Sequence, residues 1–277
     1  MPELPQLRAL AERLHGRVGG APFAGAEVLQ FASLRTVRPT PDELVGRPLA
    51  AATHRGKYLV LDLGGPRIVV HLSQAGRVTV EDPARRSRPK RGVVRLLFEA
   101  APALLVLEYG SERKARWWVL AAGGDGPLAD LGPEPGTAAF ARLVRSSDDR
   151  RRLHTMLRDQ RTVAGLGRGY TDDILHRARL SPFASLSSVD AAARERLLAA
   201  VDEVLERGLR FERSREDGLP PKLGDHWLVH ARHGTPCPRC GEQLRRVSYE
   251  SYEVTYCPQC QTGGRVLADR RLSRLLK

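Results

Sequence analysis

The chain reads as an α+β protein. It has an N-terminal helix, an antiparallel β-sandwich or barrel, a helical segment and a C-terminal β-hairpin that carries cysteines. Three observations predict this. Leu4, Leu7, Leu10, Ala11 and Leu14 recur at helical spacing, with Gly16 closing the segment. Between 57 and 120 six short runs, "KYLVLDL", "RIVVHL", "RVTVED", "VVRLLFE", "ALLVLEY" and "RWWVL", are separated by turn residues such as Gly64 and Gly65. All four cysteines fall in the last 45 or so residues, as two Cys-x2-Cys pairs.

These patterns divide the chain into a β domain over 1–120, a Gly- and Pro-rich linker over 121–136, a helical domain over 137–228 and a four-cysteine module over 229–277. Within the helical part, 151–160 and 170–180 flank "TVAGLGRG". Leu197, Leu198, Val201, Val204, Leu205 and Leu209 line one face of a helix over 189–209. The polar stretch 210–226, with two Gly and two Pro inside "DGLPPKLGDH", reads as a mobile loop.

Of the 277 residues 42% are hydrophobic, enough to bury a real core, and the net charge is +13. Forty Arg stand against five Lys. Coding bias explains arginine richness but not a positive balance over 32 acids, so a polyanionic partner is expected. No apolar run approaches transmembrane length, and the start lacks a basic segment followed by an apolar one. A cytoplasmic, nucleoid-associated protein without a membrane partner is therefore expected.

Cys237, Cys240, Cys257 and Cys260 form two turn-like knuckles, "CPRCG" and "CPQCQ", with sixteen residues between the pairs. On a β-hairpin two such knuckles present four thiolates tetrahedrally to one Zn2+. A closed four-cysteine site has no open position, so this metal is structural and does no chemistry.

Gly165, Gly167 and Gly169 form a tight turn between two helices, with Arg168 among them. Backbone N–H groups at the start of the second helix can hold a phosphate, or the glycines can simply end the first helix. The opening "MPELPQLRAL" also has two readings. Pro and Glu suit a helix start, and Pro2, once Met1 is removed, offers a secondary amine beside the carboxylate of Glu3.

Taken in order, Pro-Glu-Leu-Pro at the start, "RGKYLVL", the helix-two-turn-helix "DQRTVAGLGRGYTDD" and the four-cysteine hairpin resemble the formamidopyrimidine-DNA glycosylase/endonuclease VIII family over the whole chain. The resemblance implies Pro2 as the nucleophile at C1′ of a damaged nucleotide and Glu3 as the acid/base of sugar-ring opening. It implies Lys57 as a DNA-contacting catalytic residue, and His71, Gln74, Arg113, Gly165, Gly167, Arg168 and Arg245 as DNA contacts. The expected partner is double-stranded DNA carrying a damaged base or abasic site, bound by a monomer. The expected activity is base excision with abasic-site lyase chemistry. A non-catalytic lesion-binding protein on the same fold is the alternative.

Several positions depart from the usual pattern of that family. Gln6 stands where a second Glu is usual, and Arg168 where Asn is usual. Gln74 replaces an apolar wedge, Ala115 an aromatic one, and Tyr252 the phosphate-gripping Arg of the zinc hairpin, although Arg245 and Arg246 lie in the same hairpin. A missing wedge removes a means of stabilising a flipped nucleotide, and unstacking costs a few kcal/mol. Bulky or already destabilising lesions are the substrates this favours.

Overall fold

The computed structural model describes residues 1–215, 226–249 and 252–268. They fall into two compact units. The first comprises 1–130 with 209–223, and the second 131–208 with 224–277, each within the described residues.

In the first unit, helix α1 (Leu4–Val18) precedes eight strands. These are β1 (Phe23–Val28), β2 (Ala51–Arg55), β3 (Tyr58–Asp62), β4 (Arg67–His71), β5 (Gly76–Glu81), β6 (Gly92–Phe98), β7 (Ala103–Glu108) and β8 (Arg116–Leu120). They build two four-stranded antiparallel sheets, ordered β1-β6-β7-β5 and β2-β3-β4-β8. One core draws on both sheets and on α1: Leu7, Leu10, Leu14 and Val18 meet Leu59, Leu61, Ile68 and Val70 from one sheet and Val94, Leu96, Leu104 and Val106 from the other. This is a sandwich whose inner faces are closed at one place by an amphipathic helix.

The helix does not close at Gly16. It runs to Val18, because Val18 lies one helical turn beyond Leu14 on the same buried stripe, while Gly16 is exposed and meets nothing that would stop the helix. The cap is Gly19, whose N–H donates to the His15 carbonyl at 2.8 Å. Strands β1 and β2 are additional to the six read from sequence. "FAGAEV" and "AATHR" are Ala- and Gly-containing runs of weak strand character, and they are strands because β6 and β3 pair with them.

The core of this unit also holds a charge. Arg95 on β6 is fully buried, and its Nε donates to Glu81 Oε2 at 2.7 Å. Its Nη1 pairs with Glu27 on β1, directly opposite in register, and its Nη2 donates to the Ser87 carbonyl at 2.7 Å. Each of the three guanidinium nitrogens thus has an acceptor, which a buried guanidinium requires.

The second unit contains α2 (Ala138–Ser146), α3 (Leu153–Arg158), α4 (Arg168–Ala178) and most of α5 (Ala191–Arg213). Strands β9 (Arg245–Ser248) and β10 (Glu253–Tyr256) and the short α6 (Pro258–Thr262) follow. Its helical core gathers Phe140, Met156, Leu157, Ile174, Leu175, Leu197, Val201 and Val204. Helix α5 extends four residues into the stretch read as a loop: 210–213 are helical, since Glu212 is itself buried and continues the turn. Residues 216–225 of that stretch lie outside the described residues. Hairpin β9-β10 is antiparallel, with Arg245 opposite Tyr256 and Val247 opposite Val254.

Candidate functional site

Pro2 and Glu3 sit at the head of α1, and both are buried. Glu3 is the N-cap. Its N–H donates to Gln6 Oε1 at 3.0 Å, and the two side chains form a reciprocal capping box. Position 6 thus orients the backbone of Glu3, a task that a neutral amide performs as well as an acid. The N-terminal turn of α1 supplies a positive dipole end beside both residues.

Lys57 is buried in the tight β2-β3 turn, after Gly56 at φ +57°. His71 ends β4 with its ring 4.9 Å from that of Tyr58. Burial, with Lys57, the chain's N-terminal amine and Arg116 nearby, pushes the His71 imidazole down to about 4. That ring is therefore neutral at physiological pH, with the positive charges of Lys57, the N-terminal amine and Arg116 acting on it.

Gln74 is exposed in the β4-β5 turn, next to Ser73 at φ +58°. Arg113, at φ +44°, is fastened by its guanidinium to the Lys90 carbonyl. Ala115 is fully buried in the sandwich core, and its N–H donates to Glu108 Oε2 at 2.8 Å while Lys114 N–H donates to Oε1 at 2.9 Å. No wedge of any size could project from position 115, so its small side chain is a packing requirement of this chain.

In the second unit the glycine turn joins α3 to α4. Gly165 adopts φ +98°, and Gly167 is the N-cap of α4. Arg168 is the first residue of the helix and partly exposed. Gly169 faces Trp227 so closely that a Cβ would stand 2.6 Å from the indole. Gln160 ties the turn from inside, accepting the Gly165 N–H at 2.9 Å and donating to the carbonyls of Arg158 and Leu166, each at 2.8 Å. Arg245 is exposed at the start of β9. Tyr252 stacks on Tyr249 with centroids 4.5 Å apart, and the Arg158 guanidinium lies 4.3 Å from its ring centre. A guanidinium from α3 therefore stands beside the hairpin position that carries no arginine of its own.

Two acids of α4 that the motif reading passed over organise this region. Asp173 accepts N–H bonds from Leu228, Val229 and His230 at 2.7, 2.9 and 3.1 Å and meets Arg207 at 3.2 Å. Burial nevertheless pushes its carboxyl up. Asp172 is fully buried between His154 and His230; burial would raise its carboxyl, but the two imidazole bonds prevail and hold it below the ordinary value. Nothing local in "GYTDDIL" marks these acids, because their partners lie far along the chain.

The four cysteine sulfurs lie within 4.8 Å of one another, with Sγ separations such as 4.0 Å for Cys237–Cys260 and 3.5 Å for Cys240–Cys257. Zn–S bonds of about 2.3 Å at tetrahedral angles require separations near 3.8 Å. The cluster therefore has the donors and the size for one metal ion. His176 on α4 meets Cys237 Sγ at 3.2 Å through Nε2, and the Cys260 N–H donates to Cys257 Sγ at 3.4 Å, as thiolate ligands are commonly supported.

Comparison with known proteins agrees with this arrangement. Residues 1–118 match the formamidopyrimidine-DNA glycosylase N-terminal domain, and 131–217 match the formamidopyrimidine-DNA glycosylase H2TH domain. A formamidopyrimidine-DNA glycosylase of Symbiobacterium thermophilum is 33% identical, the alignment covering 94% of this chain and 89% of that protein. An uncharacterized formamidopyrimidine-DNA glycosylase-like protein of Mycobacterium tuberculosis is 45% identical over 129 residues, 46% of this chain and 80% of that one. Among solved structures, a Lactococcus lactis Fpg complex with abasic-site DNA superposes with a TM-score of 0.82 at 22% identity, covering 94% of this chain and 99% of that one. A β-sandwich domain followed by an H2TH domain and a four-thiol hairpin defines a class of DNA glycosylases. Within that class, the chain belongs to the formamidopyrimidine-DNA glycosylase family.

Proposed function

We propose that this protein excises damaged bases from double-stranded DNA and cleaves the resulting abasic site, with Pro2 as nucleophile and Glu3 as acid/base. The observation that carries the reading is the buried Pro2-Glu3 pair at the head of α1, in a chain of this family. With Met1 removed, the Pro2 nitrogen is a secondary α-amine. Such amines titrate near pH ~8, against ~10.4 for lysine, so far more of it is neutral and nucleophilic at physiological pH. Attack at C1′ forms the C–N bond and expels the base. Glu3 donates a proton to the sugar oxygen as the ring opens, and the product is an iminium. That cation withdraws electrons from the C2′–H bond. Loss of the proton there expels the 3′ phosphate, and a further elimination releases the 5′ phosphate.

Lys57 and neutral His71 supply a charged and an uncharged donor near the chain start, suited to the backbone of a nucleotide rotated out of the duplex. Arg168, Gly165 and Gly167 suit a second phosphate at the head of α4. Gln74, Arg113 and Arg245 are further backbone or base contacts. The metal suited to four thiolates is zinc, held by Cys237, Cys240, Cys257 and Cys260; bound there it fixes the hairpin and leaves no position for substrate.

Borohydride trapping on duplex DNA with an abasic site tests the reading. Wild-type protein is expected to give a covalent adduct that Pro2→Gly does not. No adduct from protein that lacks Met1 and binds the duplex would favour a non-catalytic lesion-binding role.

A further inference from the structure

In the second unit the C-terminal end of α4 and the middle of α5 border an open cavity of about 540 Å3. That volume is typical of ligand pockets, which span roughly 300–1,000 Å3. Its floor is made of small residues: Ala178 and Ala200 are buried there, beside Ala199. Its charged lining is Arg177 and Arg179 from the end of α4, and Arg196 and Glu203 from α5. Two of these four charges neutralise each other, since Arg177 Nε donates to Glu203 Oε1 at 2.7 Å and its Nη2 lies 2.6 Å from Oε2. Arg179 and Arg196 are exposed, and among the described residues neither guanidinium has an ion-pair partner.

A cation at the end of a helix commonly serves the last carbonyls. Here other groups do so. The N–H groups of Arg179 and Leu180 donate to the carbonyls of His176 and Leu175 at 3.1 and 3.0 Å. Arg239, in the first cysteine knuckle, donates to the carbonyls of His176 and Arg177 at 2.9 and 3.2 Å. The Arg179 guanidinium is left over from this capping. Its backbone also stands at φ +57°, in the left-handed region that favours glycine. The chain thus keeps an arginine where glycine would end the helix with less strain, and that side chain lines the cavity. Two unanswered guanidiniums above a floor of alanines suit carboxylates. A duplex suits the place poorly. Glu195, Asp202 and Glu203 are exposed along the same side of α5 as Arg196 and Ala199, three or four residues apart, and would meet a row of phosphates with like charge. A single peptide chain is narrow enough to set its carboxylates between them.

We propose that this cavity binds an acidic segment of a partner protein, with Arg179 and Arg196 each taking a carboxylate. The site needs neither Pro2 nor turnover, and it lies at the end of α4 opposite the glycine turn.

The test uses the intact, zinc-loaded protein saturated with a duplex that carries a tetrahydrofuran abasic analogue, so that its DNA surface is occupied. A fluorescein-labelled peptide of alternating Asp and Ala is titrated by anisotropy at low salt, with the Asn-for-Asp peptide as control. The duplex-bound protein is expected to bind the Asp peptide and not the Asn peptide. Arg179→Gly and Arg196→Ala should each weaken that binding by about tenfold and leave duplex affinity unchanged. Arg179→Gly should also raise the melting temperature, because glycine relieves the left-handed turn, so that binding lost in this variant is not folding lost. Peptide binding indifferent to both substitutions would overturn the assignment. A fall in duplex affinity in both variants would overturn it too, by making the cavity a nucleic-acid surface. If the protein binds no duplex at all, the DNA reading falls, and the same titration without duplex still decides the role of the two arginines.

Discussion

The carboxamide of Gln160 bridges both sides of the glycine turn, accepting the Gly165 N–H at 2.9 Å and donating to the Leu166 carbonyl at 2.8 Å. Gly165 is held at φ +98° by this contact, so the shape of the turn is set by a side chain five residues upstream. Gln160→Leu leaves two carbonyls and one N–H without that partner. The expected cost is about 1–3 kcal/mol of stability in a urea melt, with a loss of duplex affinity larger than the stability change alone explains.

Under the proposed mechanism Glu3 has two separable duties. As an N-cap it contributes about 1 kcal/mol, and Glu3→Gln retains an acceptor for the Gln6 N–H. As an acid it is irreplaceable by an amide. Single-turnover excision by Glu3→Gln should therefore fall by about 100-fold or more while the melting temperature moves little.

Acid sensitivity should include a contribution from His71. Its folded value, about 4, lies below the ordinary 6.5, so the unfolded chain binds the extra proton first as pH falls. Stability from this group is complete above about pH 6.5 and declines as pH drops toward 4, by on the order of 2–3 kcal/mol. Urea melts of His71→Phe should show a flatter acid limb than wild type.

Gly169 has no room for a side chain. Gly169→Ala would place its Cβ 2.6 Å from the Trp227 ring, and the indole is wedged against Tyr170 with centroids 4.8 Å apart. A loss of about 1–3 kcal/mol is expected, with a shift in Trp227 fluorescence that reports the displaced ring.

Removing the metal should loosen the hairpin without unfolding the sandwich. Metal analysis is expected to find one zinc per chain. Chelation, or Cys257→Ser, should abolish the amide signals of β9 and β10 and leave those of β3 and β4, which belong to the other unit.

Elements with a strong internal pattern were legible in the sequence. Strands β3 to β8 announce themselves as Val- and Leu-rich runs between turns, and the cysteine spacing foretells a four-thiol cluster. What escaped depends on partners distant in the chain. "FAGAEV" is a strand because β6 lies beside it, and Gly16 stays helical because Val18 has a core to enter. Pro2, Glu3 and Lys57 could be singled out from the sequence, and the structure buries all three. Asp172 could not, because its meaning resides in His154 and His230, eighteen and fifty-eight positions away.

The Arg95 triad has a consequence for how this sheet can change over time. Glu27, Arg95 and Glu81 sit on β1, β6 and β5, so one guanidinium spans both edge strands of its sheet. A shift of any one strand by a residue would turn its acid or base to the opposite face and leave a charge unanswered. Insertions that slide β1 or β5 are therefore penalised even where their apolar residues would tolerate the move. Arg95 and Glu81 are bound to diverge together, and a descendant that has lost Arg95 should be found to have lost Glu81 as well, while the half-exposed Glu27 can remain.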